Sequence, residues 1–117
     1  MLTAFASLLG FVAVALGAFG AHGLAERLDA QALGWWQTAT TYLMAHAVAA
    51  LAVSLAGRPG LFSWGGWGLA IGALVFAGTL YAMALGAPRW LGAVTPLGGL
   101  GMLAGWALIG IGALRLS

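Results

Sequence analysis

Long apolar runs separated by single charged residues or short charged groups are the main pattern of this chain. The uncharged runs cover residues 1–25, 30–57, 59–88 and 90–114. A helix that crosses a bilayer needs about 20 predominantly apolar residues, so each run holds one span and part of a connection. The pattern therefore predicts a single all-α domain, an integral membrane four-helix antiparallel bundle. Its predicted spans are about 2–21, 34–56, 66–85 and 95–115.

The segment HGLAERLDAQALGWW, from His22 to Trp36, differs from the spans because it is too polar to cross the hydrocarbon. Its apolar residues nevertheless recur at helical spacing. This combination predicts a short interfacial helix between helices one and two. Trp35 and Trp36 are expected to lie at the headgroup level, where tryptophan is enriched.

Small residues at helical spacing predict how the spans pack. The chain has 20 glycines. Lipid gives helices no hydrophobic reason to associate, so close backbone approach across small residues is what packs them. The predicted packing positions are Gly17 and Gly20 in the first helix, Gly78 (with Ala82 and Gly86) in the third, and Gly98, Gly101 and Gly105 in the fourth.

Composition and charge narrow the class of protein. The chain is 63% hydrophobic and 5% charged, whereas about a quarter of a soluble globular protein is charged. The net charge of +2 rests on four arginines against two acids without a basic run, which gives no reason to expect nucleic acid as a partner. The chain has no cysteine, so disulfides and thiolate chemistry are excluded.

Polar side chains in or near the spans are the candidate functional residues. They are His22, Thr38, Tyr42, His46, Tyr81 and Thr95. His46 lies near mid-membrane, where an ionisable group suggests a functional site. One interpretation is a narrow polar path lined by Thr38, Tyr42 and His46. The other is a neutral imidazole that hydrogen-bonds a neighbouring helix, through Thr79 or Tyr81, and specifies packing.

The order of the helices predicts that these polar residues converge. Tyr81 near the end of the third helix and Thr95 at the start of the fourth lie on the same side as His22. We expect one polar cluster there, with His22 at its mouth and the charged segment as its cover. Thr95 is expected to cap the fourth helix, with Pro96 as its first residue.

Catalytic, cofactor and metal sites are not predicted. Two histidines at different depths, with no nearby carboxylate or thiol, do not complete a metal site. The chain also lacks a phosphate loop and a dinucleotide fingerprint. We therefore expect a protein that is not an enzyme and that has the lipid bilayer as its partner.

The arginines do not fix the membrane orientation. Arg58 and Arg115 lie on one predicted side, and Arg27 and Arg89 lie on the other. The even number of helices and the terminal amine predict both termini in the cytoplasm. The balance of charge also permits insertion in both directions and pairing as an antiparallel homodimer.

Five ordered motifs, GAFGAHGL, WWQTATTYLMAHA, FAGTLYAMALG, TPLGG and the pair Gly105 and Trp106, resemble a known family. It is the family of small membrane proteins catalogued as domain of unknown function 423, and the similarity runs from about residue 8 to residue 108. The resemblance implies a four-helix, multi-pass protein of the bacterial inner membrane, with relatives in eukaryotic membranes and no established activity.

Two functions remain open. The first is a non-enzymatic structural or interaction role, with the polar cluster holding the bundle in register. The second is a small-solute channel or carrier whose polar path is lined by Tyr42 and His46. A dry bundle with a fully paired His46 favours the first function, and a water-accessible cavity that reaches His46 favours the second.

Overall fold

The computed structural model describes residues 1–116 and confirms the all-α fold class. Its four long helices are α1 (Leu2–Phe19), α2 (Ala30–Ala56), α3 (Leu61–Ala84) and α4 (Thr95–Leu116). Four segments built on these helices are long and apolar enough to cross a membrane. Consecutive helices pack against one another, and α3 lies between α2 and α4 while α1 packs mainly on α2.

Two helices begin earlier than predicted. α2 begins at Ala30 rather than near residue 34, and α3 begins at Leu61 rather than near residue 66. Asp29 accounts for the start of α2, because its Oδ1 atom accepts a hydrogen bond from the amide of Ala32 at 2.8 Å and so caps the helix. The cap therefore places residues 30–33 in the first turn of α2.

The interfacial helix is therefore shorter than the segment of residues 22–36 in which it was predicted. The short helix between the first two spans is a π-helical turn, Gly20–Leu24, that continues directly from α1. Residues 25–28 form a turn, and residues 30–36 belong to α2.

Glycines allow the backbones of α3 and α4 to touch. A Cβ atom on Gly72 would lie 2.6 Å from the amide nitrogen of Met102, and one on Gly105 would lie 2.7 Å from the carbonyl oxygen of Gly65. Real Cβ atoms essentially never approach backbone this closely, so both positions require glycine. This contact uses close approach across small residues to pack helices in lipid.

On α3, the glycines that contact α4 are not the ones predicted from the sequence. Gly78 faces open space and has no atom within 4 Å of the position a Cβ would take. The glycines of α3 that meet α4 are instead Gly65, Gly68 and Gly72. On α4, Gly98, Gly101 and Gly105 do lie against α3.

The first two helices also meet at glycines. A Cβ atom on Gly20 would overlap the indole ring of Trp36, and one on Gly17 would lie 3.0 Å from Cγ2 of Thr40. The open side of Gly20 lets the Trp36 Nε1–H group reach α1, where it donates a hydrogen bond to the carbonyl oxygen of Leu16 at 2.7 Å. Trp36 is 3% exposed, so this bond lies inside the protein.

Candidate functional site

The predicted polar residues do not form one cluster. His46 and Tyr42 lie together between α2 and α4, Tyr81 lies at the interface of α2 and α3, and Thr95 lies against α3. His22 and Thr38 are exposed, and neither side chain forms a hydrogen bond with residues 1–116. Tyr81 and Thr95 instead bond to Thr40 and Thr79, which separates them from the pair of His46 and Tyr42.

His46 connects α2 to α4. Its Nδ1 atom lies 2.8 Å from the carbonyl oxygen of Tyr42, one turn earlier on α2. The Nε1–H group of Trp106 on α4 donates a hydrogen bond to Nε2 of His46 at 3.1 Å. The sequence suggested Thr79 or Tyr81 as the partner of His46, so the structure corrects that expectation to Trp106.

These two contacts determine where the imidazole proton lies. The indole nitrogen of tryptophan can only donate, so Nε2 of His46 must carry a lone pair. A neutral imidazole then has its proton on Nδ1, from which it donates to the Tyr42 carbonyl. Both ring nitrogens are thus paired, and the residue is 9% exposed.

A second polar contact joins α2 to α3. The hydroxyl groups of Thr40 and Tyr81 lie 2.7 Å apart, and Thr40 Oγ1 also donates to the carbonyl oxygen of Trp36 at 3.0 Å. The rings of Trp36 and Tyr81 meet edge to face with centroids 4.5 Å apart. Tyr81 therefore helps to hold α3 against α2. This contact is separate from the one that His46 makes with α4.

Thr95 has a different role from the predicted cap. Its hydroxyl lies 2.6 Å from that of Thr79 on α3 and donates to the carbonyl oxygen of Leu91 at 3.2 Å. Thr95 is itself helical, and its side chain is 8% exposed. The hydroxyl pair ties the start of α4 to α3 instead of capping an amide.

A groove runs between α2 and α4, with α3 as its floor. Its deep part is a cavity of about 630 Å³. Tyr42, His46, Phe76, Gly99, Met102 and Trp106 are among its lining residues. The rings of Tyr42 and Phe76 meet at 4.7 Å, and Tyr42 stacks on His46 at 5.9 Å, so aromatic rings form much of the wall.

The groove continues toward the connection between α3 and α4. A neighbouring cavity of about 390 Å³ shares Phe76 and Pro96 with the deep part. Arg89 lies at the outer end of this second cavity. The Arg89 guanidinium donates from Nη2 to Oε1 of Gln31 at 3.0 Å and lies 5.7 Å from the ring centre of Trp35.

Several residues of these contacts were not singled out from the sequence. Thr40, rather than Thr38, faces the protein, because it lies beside the buried α2 residues Trp36, Ala39 and Leu43. A helical projection of the apolar α2 residues could have separated the two threonines. Trp106 was part of a family motif, but nothing in the sequence linked it to His46.

Metal-binding groups are sparse in the part of the chain that the structure describes. Residues 1–116 contain no group of three or more His, Cys, Asp or Glu side chains that could hold a metal ion. The polar groups instead bond to one another and to the backbone. No buried side-chain nitrogen or oxygen in these residues lacks a hydrogen-bond partner.

Comparison with known proteins places this architecture among membrane proteins. A family model described as "Protein of unknown function (DUF423)" matches residues 16–99. The chain is 44% identical over 115 residues to the UPF0382 inner membrane protein YgdD of Escherichia coli strain K12, with 96% of this chain and 88% of that protein covered.

Relatives occur in other groups of organisms. The chain is 41% identical over 112 residues to the UPF0382 membrane protein SSP2132 of Staphylococcus saprophyticus, with 94% of this chain and 93% of that protein covered. It is 46% identical over 108 residues to the UPF0382 membrane protein C1782.12c of Schizosaccharomyces pombe, with 87% and 92% covered. No solved structure matches the chain.

Proposed function

Because the chain belongs to the DUF423 family of multi-pass membrane proteins, we propose for it a non-enzymatic structural role in the bilayer, in which it associates with other membrane components. The bilayer concerned is the inner membrane, as the name of the Escherichia coli relative indicates for that protein. Lipid is its first partner, and its exposed helix faces permit association with a second copy.

The pairing of His46 is the observation that carries this proposal. An ionisable group near mid-membrane supports transport or proton movement only if it can exchange partners with water or a solute. Here both ring nitrogens are engaged, one with the Tyr42 carbonyl and one with the Trp106 indole. The bond from Trp106 links α2 to α4, which is the effect expected of a residue that holds helices in register.

Flux measurements in proteoliposomes test the proposal. We expect the purified protein to leave the permeability to protons and to small uncharged solutes equal to that of protein-free liposomes of the same lipid. Stopped-flow light scattering reports the solutes, and an enclosed pH-sensitive dye reports the protons. Flux above the protein-free level that is lost in His46→Gln would contradict the structural role.

The alternative of a small-solute channel or carrier has one specific observation in its favour. Tyr42 and His46 both line the cavity of about 630 Å³. Exposed apolar side chains, Leu100 and Leu103, also line this cavity, which suits a groove that opens toward lipid more than an aqueous path. The His46→Gln variant in the flux assay separates the two functions, because only a carrier requires His46 for solute movement.

A further inference from the structure

We propose that the groove between α2 and α4 holds one anionic phospholipid, with its phosphate at Arg89 and one acyl chain ending at the His46–Trp106 bond. This inference rests on the proposed structural role and deepens it, since it names the membrane component and the place where it binds. Three observations support it: the charge of Arg89, the position and length of the groove, and the hydroxyl of Tyr42, which has no hydrogen-bond partner among residues 1–116.

Arg89 presents a positive charge at the headgroup end of the groove. It forms no ion pair with residues 1–116, and its guanidinium contacts the amide oxygen of Gln31 and the ring of Trp35. A guanidinium group has five N–H donors, so Gln31 leaves most of them available. Arginine binds phosphate with two parallel hydrogen bonds, and tryptophan is favoured at the same depth of the bilayer.

The groove leads from this charge into the apolar region. The cavity below Arg89 has Leu80 and Met83 of α3 in its floor. It shares Phe76 and Pro96 with the deeper cavity, so the two adjoin along α3 and α4. An anionic head with an apolar chain fits this order, whereas a soluble anion would use only the outer end.

The length of the deep cavity matches one leaflet of a bilayer. Pro96 and Trp106 mark the two ends of that cavity along α4, and ten residues of helix rise by about 15 Å. Half of a hydrocarbon core of about 30 Å is also about 15 Å. An acyl chain that begins near Pro96 therefore ends where the Trp106 indole bonds to His46.

Tyr42 provides a polar contact along the groove. Its hydroxyl forms no hydrogen bond with residues 1–116, although the side chain is 43% exposed on a helix within the membrane. A polar group in hydrocarbon is costly when it has no partner. Helical side chains lean toward the N-terminus, which brings this hydroxyl toward the headgroup end, where it can donate a hydrogen bond to a lipid ester carbonyl.

Asp29 lies near Arg89 at the headgroup end of the groove, where its negative charge repels an anion. It lines a cavity of about 390 Å³ together with Gln31 and Arg89. Its Oδ1 atom accepts the hydrogen bond from the amide of Ala32, so the carboxylate is engaged as the cap of α2. Asparagine caps a helix about as well as aspartate. Asp29→Asn should therefore raise retention of an anionic lipid without loosening α2.

Native mass spectrometry of the full chain in detergent tests whether lipid binding depends on the charge of Arg89. The probes are dioleoyl phosphatidylglycerol and, as the zwitterionic control, dioleoyl phosphatidylcholine. We expect one bound phosphatidylglycerol per chain, and Arg89→Gln should lower its apparent affinity about fivefold, as expected for one basic group at an anionic surface. Arg115→Gln removes the same charge from the other side and should leave the affinity unchanged.

The groove is tested by filling it. Gly99 lines the deep cavity, and no atom of residues 1–116 lies within 4 Å of the position of a Cβ, so Gly99→Leu adds its first side-chain atom without a clash and fills part of the groove. It should lower the occupancy of phosphatidylglycerol. Gly110 faces open space on the same helix, and Gly110→Leu is the matched control that should retain lipid.

Three results would overturn the lipid site. They are equal losses in Arg89→Gln and Arg115→Gln, unchanged occupancy in Gly99→Leu, and displacement of the lipid by millimolar inorganic phosphate, which would indicate an anion site independent of the chain. Circular dichroism must show that each variant is folded. If the protein retains no lipid and the flux stays at the protein-free level, the lipid site is wrong and the structural role still stands. If the protein carries solute flux, the structural role itself is wrong.

Discussion

At the scale of single residues, a few hydrogen bonds between helices define the interior. Trp36 donates to α1, Thr40 meets Tyr81, and Trp106 donates to His46. The sequence singled out Tyr42, His46 and Tyr81 as candidate functional residues, because polar groups in membrane spans are rare. It could not predict their partners, since those depend on how each helix is rotated about its axis.

Trp106→Phe tests the bond to His46. Phenylalanine keeps the aromatic bulk but has no N–H group, so Nε2 of His46 loses its donor. We expect the free energy of unfolding in mixed micelles to fall by about 1 kcal/mol, the scale of one such bond. Trp90 is 67% exposed, and Trp90→Phe is the control. Equal stability of the two variants would show that the Trp106 bond does not hold α4 in place.

Gly20→Ala tests the contact between α1 and α2. The added methyl would overlap the Trp36 indole, so the ring must move and its bond to the Leu16 carbonyl is lost. We expect a loss of about 1–3 kcal/mol in the free energy of unfolding. Gly34 has no neighbour within 4 Å, and Gly34→Ala should not destabilise the protein. A Gly20→Ala protein as stable as the wild type would contradict the close packing.

At the scale of helices, the sequence predicted the number, order and approximate length of the spans, because single charges mark where the chain leaves the hydrocarbon. It did not predict which small residues pack. Glycine and alanine are so common here that several stripes have suitable spacing, and only the rotation of α3 selects Gly65, Gly68 and Gly72 over Gly78. The start of α2 was missed because its first turn directly follows the charged residues 26–29 and was therefore assigned to the connection.

Adjacent glycines on α4 test the contact with α3. A Cβ on Gly98 would lie 2.6 Å from the carbonyl oxygen of Gly72, whereas Gly99 faces open space. Gly98→Ala should therefore separate the helices and lower the free energy of unfolding by about 1–3 kcal/mol. Gly99→Ala should leave it unchanged or raise it slightly, because alanine favours helix. Unfolding by SDS in mixed micelles measures the free energy of unfolding of both variants. A larger loss in Gly99→Ala than in Gly98→Ala would place the interface on the other face of α4.

At the scale of the whole molecule, the chain has the dimensions of a membrane-spanning unit. Its longest extent is 50 Å, which exceeds the hydrocarbon thickness of about 30 Å and leaves the helix ends at the headgroups. The buried central helix α3 supports α2 on one side and α4 on the other. The groove over α3 is thus a consequence of the arrangement, since α2 and α4 meet across it at His46 and Trp106.

The orientation of this unit stays a prediction that single cysteines can test. The chain contains no cysteine, so Pro59→Cys and Pro88→Cys each give one label site in an exposed connection. With both termini in the cytoplasm, we expect an impermeant maleimide added outside intact spheroplasts to label Pro88→Cys and not Pro59→Cys. Labelling of both variants would contradict a single orientation and favour the antiparallel homodimer.

Nitrogen-15 NMR of His46 in bilayers tests the central claim most directly, at a pH of about 8, where an ordinary imidazole is neutral. The chain has two histidines, so His22→Gln assigns the spectrum. The structure predicts a proton on Nδ1, none on Nε2, and a coupling between Nε2 and the Trp106 Nε1–H group that disappears in Trp106→Phe. A proton on Nε2, or the absence of that coupling, would contradict the closed, register-holding bundle proposed for this protein.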